Sequence, residues 1–195
     1  MDIEQIKRLR SLTGVGITDA KNALVEANGD FDKALEAMRK KGLTKAEKRG
    51  EREARAGIVN TYNHDNRIGV VVELNCETDF VARTDEFIEL ARDISMHIAA
   101  SNPVYVSSDD IPADVRDAKV KEFSEKAKSE GKPDNMVEQI VDGMVKKYFA
   151  ELCLVDQPFV KNPDQTVGDF VKEGIAKLGE NIVVRRFSRI AVGEV

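Results

Sequence analysis

The chain has no tryptophan, and only 6% of its 195 residues are aromatic. Single-stranded nucleic acid is held largely by bases stacking on aromatic rings, so this composition argues against a base-stacking surface. Basic residues do not dominate either. Thirty Lys and Arg stand against 35 Asp and Glu, a formal net charge of -5. Direct nucleic-acid binding driven by overall basicity is not expected. The two cysteines, Cys76 and Cys153, lie far apart in the chain. They suit reduced thiols acting as small core residues, not a disulfide framework. His64 and His97 are the only histidines, and none of these four residues falls at paired ligand spacing, so no metal site is expected. No apolar run is long enough to span a bilayer, and the opening "MDIEQIKRLR" lacks the apolar segment of a secretory signal. The expectation is a cytoplasmic protein with no membrane partner. No G-x-x-x-x-G-K-[ST] stretch occurs, and no G-x-G-x-x-G follows a strand. With no nucleophile, metal or phosphate-loop pattern, neither a cofactor nor bond-making catalysis is expected.

What is present is periodicity. Ile3, Ile6, Leu9 and Leu12 recur at near-helical spacing, and "TGVG" at 13–16 ends that helix. Thr18 is positioned to cap a second helix with Ala20, Ala23, Leu24 and Ala27 on its apolar face. After "NGD", Asp30 is positioned to cap a third, faced by Phe31, Ala34, Leu35 and Met38. Residues 1–40 therefore read as a small three-helix domain. Residues 41–56 are almost pure mixed charge, a solvated linker or exposed helix.

From residue 57 the period changes. "GIVNTYNH" and "RIGVVVELNCE" form a hairpin, with Ile68, Val70, Val72, Leu74 and Cys76 on one face. Thr84 caps a helix carrying Phe87, Leu90, Ala91, Ile94 and Ile98. A charged helix begins near 112, with a stripe of Val115, Ala118, Phe123 and Ala127. The strongest helical pattern comes next, from Val137 to Leu152. "DQPF" and "NPDQ" read as turns, Thr166 opens a last helix, and "ENIVVRRFSRIAV" is a strand that pairs with the hairpin. Residues 57–195 thus form one core, and the fold class is α+β: a three-helix domain plus an antiparallel sheet with packed helices.

One stretch resists this reading. "NCETDFVAR" puts Phe80 beside a carboxylate at a strand-to-helix turn. Read from the residues alone, Phe80 tucks under the hairpin and Asp79 is an N-cap, whereas an outward Phe80 would need a pocket on another protein.

Seven segments occur in order: "TGVGITDAKNAL", "EANGD", "NCETDFVA", "MHIAAS.P", "GKP", "DQPFV" and "TVG". Together they resemble bacterial translation elongation factor Ts over nearly the whole chain, from about residue 3 to about 192. The resemblance implies a guanine-nucleotide exchange factor for elongation factor Tu, acting by coupled binding and needing no cofactor. It implies that residues 1–40 are a ubiquitin-associated-like domain gripping the partner's GTPase domain through Lys21 and the segment Thr13, Gly14, Val15, Gly16 and Ile17. Thr78, Asp79, Phe80 and Val81 match the motif that intrudes into that GTPase domain and displaces Mg²⁺. His97 matches a histidine implicated in partner contact, whereas periodicity alone makes it a partly buried core residue. The helix around "GMVKKY" and the terminal strand belong to the core, part of which would also meet the partner's third domain.

Longer family members carry a second copy-like core half, an inserted helical hairpin and a C-terminal helix. This chain has the pattern of the short form, for which a homodimer completing the core is expected. Two other readings are a peptide-binding adaptor built on residues 1–40, and an RNA-linked role through Lys40, Lys41, Lys45, Lys48 and Arg49.

Overall fold

The computed structural model describes residues 3–13, 16–131 and 133–194, without the side chains of 43–45, 47, 134 and 135. Gly14 and Val15 lie outside the described residues. The architecture is α+β. The chain divides into two compact units, Met1–Ala99 with Gly168–Val195, and Ala100–Val167.

Three helices open the first unit: α1 (Ile3–Thr13), α2 (Ile17–Glu26) and α3 (Phe31–Arg49). Leu9, Ala20, Ala23, Leu24, Ala34 and Met38 form their shared core. Ile3 and Leu12, expected on that face, are exposed. At 100° per residue, nine residues place Ile3 and Leu12 half a turn apart, so the core can take only the middle of the i+3 series. Gly16, not Thr18, is the N-cap of α2, because Ile17 is already helical. Asn28 and Gly29 reverse the chain with positive φ, and Asp30 Oδ1 caps α3 by accepting from the Lys33 amide at 3.1 Å.

The helix α3 continues through the charged stretch, with Ala46 buried on it. Its second half rests on α8 (Val167–Leu178). A Cβ on Gly42 would lie 3.2 Å from that of Ala176, and Arg49 Nη1 donates to the Ile175 carbonyl at 3.1 Å.

The sheet has three antiparallel strands, β1 (Ala56–His64), β2 (Ile68–Cys76) and a C-terminal strand (Ile182–Ala191), with β2 in the centre. The inward face of β2 is Val70, Val72, Leu74 and Cys76, all buried. The helix α5 (Asp85–Ser101) covers this face with Phe87, Leu90, Ala91, Ile94 and Ile98. Asn60 Nδ2 donates across to Ser95 Oγ at 2.9 Å. Gly174 of α8 sits so close to Leu90 that a Cβ there would approach it to 2.8 Å. Asn75, assigned by alternation to the outward face, is nevertheless buried: it donates to the Ala56 carbonyl and accepts from Arg185 Nε.

The second unit contains the helical hairpin α6 (Ala113–Ser129) and α7 (Asp134–Leu152). These are the two helices expected near 112 and over Val137 to Leu152. Ile111, Phe149 and Cys153 form one cluster along it, and Ala127, Val137 and Val141 another. Ala118, expected in the α6 stripe, is exposed. Lys119 faces α7 instead, its ammonium 4.5 Å from the Tyr148 ring centre. "NPDQ" is not a turn: β3 (Pro158–Phe159) and β4 (Asn162–Thr166) form a two-stranded sheet, and the terminal strand is accordingly β5. The tight 160–161 connection joins two strands too short to show a period. The helix α8 begins at Val167, one residue after Thr166.

Gly57 has φ +147°, and an added Cβ would lie 2.2 Å from the Leu74 carbonyl oxygen. Gly57→Ala is expected to destabilise the sheet unit by at least about 1–3 kcal/mol. Urea unfolding followed by circular dichroism checks this, and an unchanged midpoint refutes it.

Candidate partner-binding site

The ladder between β2 and β5 ends at the pair Cys76–Ile182. The chain then turns through α4 (Asp79–Ala82), a single helical turn, into α5. A four-residue turn can send only one side chain into the core. Ala82 takes that place and is buried. Phe80 lies two residues away, about 200° around the axis, and is 87% exposed. The outward aromatic therefore results from which residue faces in.

The turn is fixed at both ends. Thr78, not Asp79, is its N-cap, with extended backbone (φ -134°, ψ 154°) and its hydroxyl facing the Val81 amide at 3.5 Å. The Ala82 amide donates to the Thr78 carbonyl at 3.2 Å. At the far end Thr84 closes the turn, donating to the Val81 carbonyl at 2.8 Å and accepting from the Phe87 amide at 3.3 Å. Thr84 thus caps α5, as its place before "DEF" indicates. Asp79 is exposed at the first position of the turn.

Beneath the turn, two carboxylates cross between the strand ends. Glu180 Oε2 accepts from the Thr78 amide at 3.0 Å, and its Oε1 from the Thr78 hydroxyl at 2.7 Å. Glu77 Oε1 accepts from the Asn181 amide at 2.7 Å and lies 3.6 Å from Arg52 Nη1. Asn181 Nδ2 donates to the carbonyls of Gly50 and Arg52. The segment leaving α3 is thereby tied to the base of the Phe80 turn. Sequence reading misses Glu77 and Glu180. Their partners are about a hundred residues away, and nothing short of the β2–β5 register reveals them.

The N-terminal residues divide between two settings. Ile17 and Lys21 are exposed on α2, and Val25 continues the same i+4 strip, flanking the buried face of Ala20, Ala23 and Leu24. Sequence reading misses Val25 too, although its spacing from Lys21 carries the signal. Thr13 and Gly16 instead line a groove of about 180 Å³ with Met38, Lys41, Ala176 and Gly179. The Thr13 hydroxyl donates back to the Leu9 carbonyl at 2.6 Å. His97 is fully buried in α5, away from the surface that carries Phe80. Thr78, Asp79, Phe80 and Val81 are brought together by the turn.

Among the described residues no group of three or more His, Cys, Asp and Glu is arranged to hold a metal ion. No helix among them is long and apolar enough to cross a membrane. Both cysteines are free and buried. Burial pushes the Cys76 thiol up, helped by the nearby Glu180 charge, and its Sγ contacts the Thr78 carbonyl at 3.2 Å. Burial pushes Cys153 up to about 11, with Asp156 and Asp110 adding to it.

Known proteins share this chain's sequence almost end to end. The family model described as "Elongation factor TS" matches residues 18–194. The elongation factor Ts of Carboxydothermus hydrogenoformans is 53% identical over 192 residues, covering 98% of this chain and 88% of that protein. That of Desulfosudis oleivorans is 50% identical over 190 residues, covering 97% and 96% respectively. That of Thermodesulfovibrio yellowstonii is 49% identical over 191 residues, covering 98% and 96%.

With a pKa of about 11 for Cys153, roughly one thiol in a thousand is ionised at pH 8. Iodoacetamide should therefore alkylate Cys153 in the native protein about a hundredfold more slowly than in urea. Cys76 should be protected in the same direction. Mass spectrometry of a time course reads both sites, and comparable native and unfolded rates would contradict the assignment.

Proposed function

The chain belongs to the elongation factor Ts family, and from that premise we propose that it releases GDP from elongation factor Tu with Phe80 as a wedge. Family membership implies a nucleotide exchange factor that works with elongation factor Tu in translation elongation. The finer reading rests on one observation: a large aromatic, 87% exposed, stands on a turn that is hydrogen-bonded at both ends. A rigid exposed aromatic fits an anchor whose pocket lies on another protein.

In a GTPase, Mg²⁺ bridges phosphate oxygens and protein ligands and offsets their charge. Phe80, entering the partner's GTPase domain with Thr78, Asp79 and Val81, pushes apart the elements that hold that ion, and GDP loses its counter-charge. No bond is made or broken by this chain, and it uses no cofactor. Exchange is coupled binding, so whatever factor Ts imposes on GDP affinity, GDP imposes on Ts affinity. GTP entry then ejects Ts.

In this reading residues 1–40 act as a ubiquitin-associated-like module, and residues 41–56 join it to the core at 57–195. The module supplies a second contact to the GTPase domain. Ile17 and Lys21 offer an apolar and a charged group on one exposed face, and Thr13, Gly14, Val15 and Gly16 are proposed to complete the contact. The core reaches the partner's third domain. The proposed partner contact of His97 requires its ring, buried in α5, to become accessible on docking. The protein works in the cytoplasm, without membrane or direct nucleic-acid contact.

Stopped-flow release of a fluorescent GDP analogue from elongation factor Tu, with Mg²⁺ varied, tests the wedge. Wild type should accelerate release, and Phe80→Ala should lose about 30-fold of the maximal acceleration. Equal rates for the two proteins would remove the wedge. No acceleration by wild type would remove the exchange reading and leave the adaptor built on residues 1–40.

The homodimer is part of the same proposal. Val59, Val71 and Ile190 are exposed and share the sheet face opposite α5. Three aliphatic side chains together on a three-stranded sheet suit burial against a second copy. Sedimentation velocity should give twice the chain mass for wild type and a single chain mass for Val59→Lys/Ile190→Lys. A monomeric wild type at micromolar concentration contradicts it.

A further inference from the structure

The N-cap residue of a helix has its own amide to satisfy, and the usual acceptor is a Glu or Gln three residues on. In this turn that position is Val81, which has no side-chain acceptor. Glu180, 102 positions along the chain, supplies the missing carboxylate to both the amide and the hydroxyl of Thr78. Glu77 does the same in the opposite direction for the Asn181 amide. The two strand ends therefore exchange carboxylates one and two residues beyond Cys76–Ile182, where the main-chain ladder stops.

Gly179 makes this possible. It ends α8 with φ +84° while its amide donates to the Ile175 carbonyl at 3.0 Å. That left-handed turn delivers Glu180 to the end of β2.

We infer that Glu77 and Glu180 form a reciprocal clamp that positions Phe80, making both of them positioning residues for GDP release. The inference rests on the wedge reading given above. Phe80 has no packing of its own to define its direction, being almost fully exposed. Its aim is set by the backbone of the turn, and Thr78 is the residue from which that turn starts. Glu180 holds Thr78 at two atoms. Glu77 holds the chain on which Glu180 sits, and Arg52 pairs with Glu77 from the segment after α3.

Two measurements separate this role from a purely structural one. The first is amide hydrogen exchange in the isolated protein. Glu180→Ala should speed exchange at the Thr78 amide by roughly tenfold, since a charge-assisted hydrogen bond is lost, while the interior of β2 keeps its protection. Unchanged exchange at Thr78 overturns the clamp whatever the exchange activity is.

The second is GDP release from elongation factor Tu at increasing concentrations of the variant. A partly unfolded protein merely rescales the concentration axis, whereas a misdirected wedge lowers the plateau. Glu180→Ala should lower the plateau about fivefold while changing the half-saturating concentration by less than about twofold. Glu180→Gln, which keeps one acceptor, should fall between. Added to Phe80→Ala, Glu180→Ala should cost nothing more, because the group it aims is gone. A full plateau for Glu180→Ala, or losses that multiply in the double variant, overturns the inference while leaving the Phe80 wedge standing. Absence of any Phe80 effect removes the wedge and the positioning role together.

Discussion

The closing of the β2–β5 ladder is the constraint on which the rest depends. The strand β2 is paired on both sides, and its inward face is filled by valine, leucine and cysteine side chains against α5. Its register cannot slip by one residue without turning that face to solvent. The position of Cys76 is therefore fixed by core packing, and the residues after Cys76 inherit that precision. The turn at 78–82 begins two residues later, and its aim is as well determined as the sheet itself.

The same region shows how an acidic protein uses its carboxylates. The net charge of -5 argues against binding driven by basicity but assigns no role to any one acid. Locally the acids are structural acceptors. Glu73 is held below the usual carboxylate range by its hydrogen bond to Arg186, and the Glu77 carboxylate lies beside Arg52. Glu173 goes the other way. Burial raises it although Arg39 lies 3.8 Å off and pulls against the shift, with Asp169 adding to it. Such a raised carboxyl favours the folded state more as pH falls through its folded-state value, because the native form then binds more protons than the unfolded chain. The contact between α3 and α8 is thus tuned by desolvation, whereas the base of the Phe80 turn is tuned by hydrogen bonding.

Much of the fold is legible because periodicity reports burial directly. Alternation locates β2, and the spacing of Phe87, Leu90, Ala91, Ile94 and Ile98 locates α5 and its buried face. Errors arise where local signals compete. The i+3 series in α1 outruns the helical period, so Ile3 and Leu12 leave the core. Thr18 looks like a cap, but Gly16 ends the extended segment earlier. "NPDQ" has turn composition, yet its backbone pairs with Pro158 and Phe159. At the candidate site, the oddness of Phe80 is visible in the sequence. The reason for its orientation is not, since it depends on Ala82 turning inward and on Glu180 reaching across the sheet.

This division between legible and hidden has a physical basis. A binding side chain advertises itself locally, as an apolar group in a polar turn. The groups that aim it are ordinary acids at ordinary positions, and only three-dimensional pairing distinguishes them. Their value lies in entropy. A protruding aromatic free to sample several directions would have to be immobilised on docking, at a cost of about 0.5–1.5 kcal/mol for such a side chain and more for its backbone. Hydrogen bonds already made at Thr78 and Thr84 incur the backbone part of that cost during folding instead. In the wedge reading proposed above, the interaction energy of the aromatic is then available to separate elements of the partner.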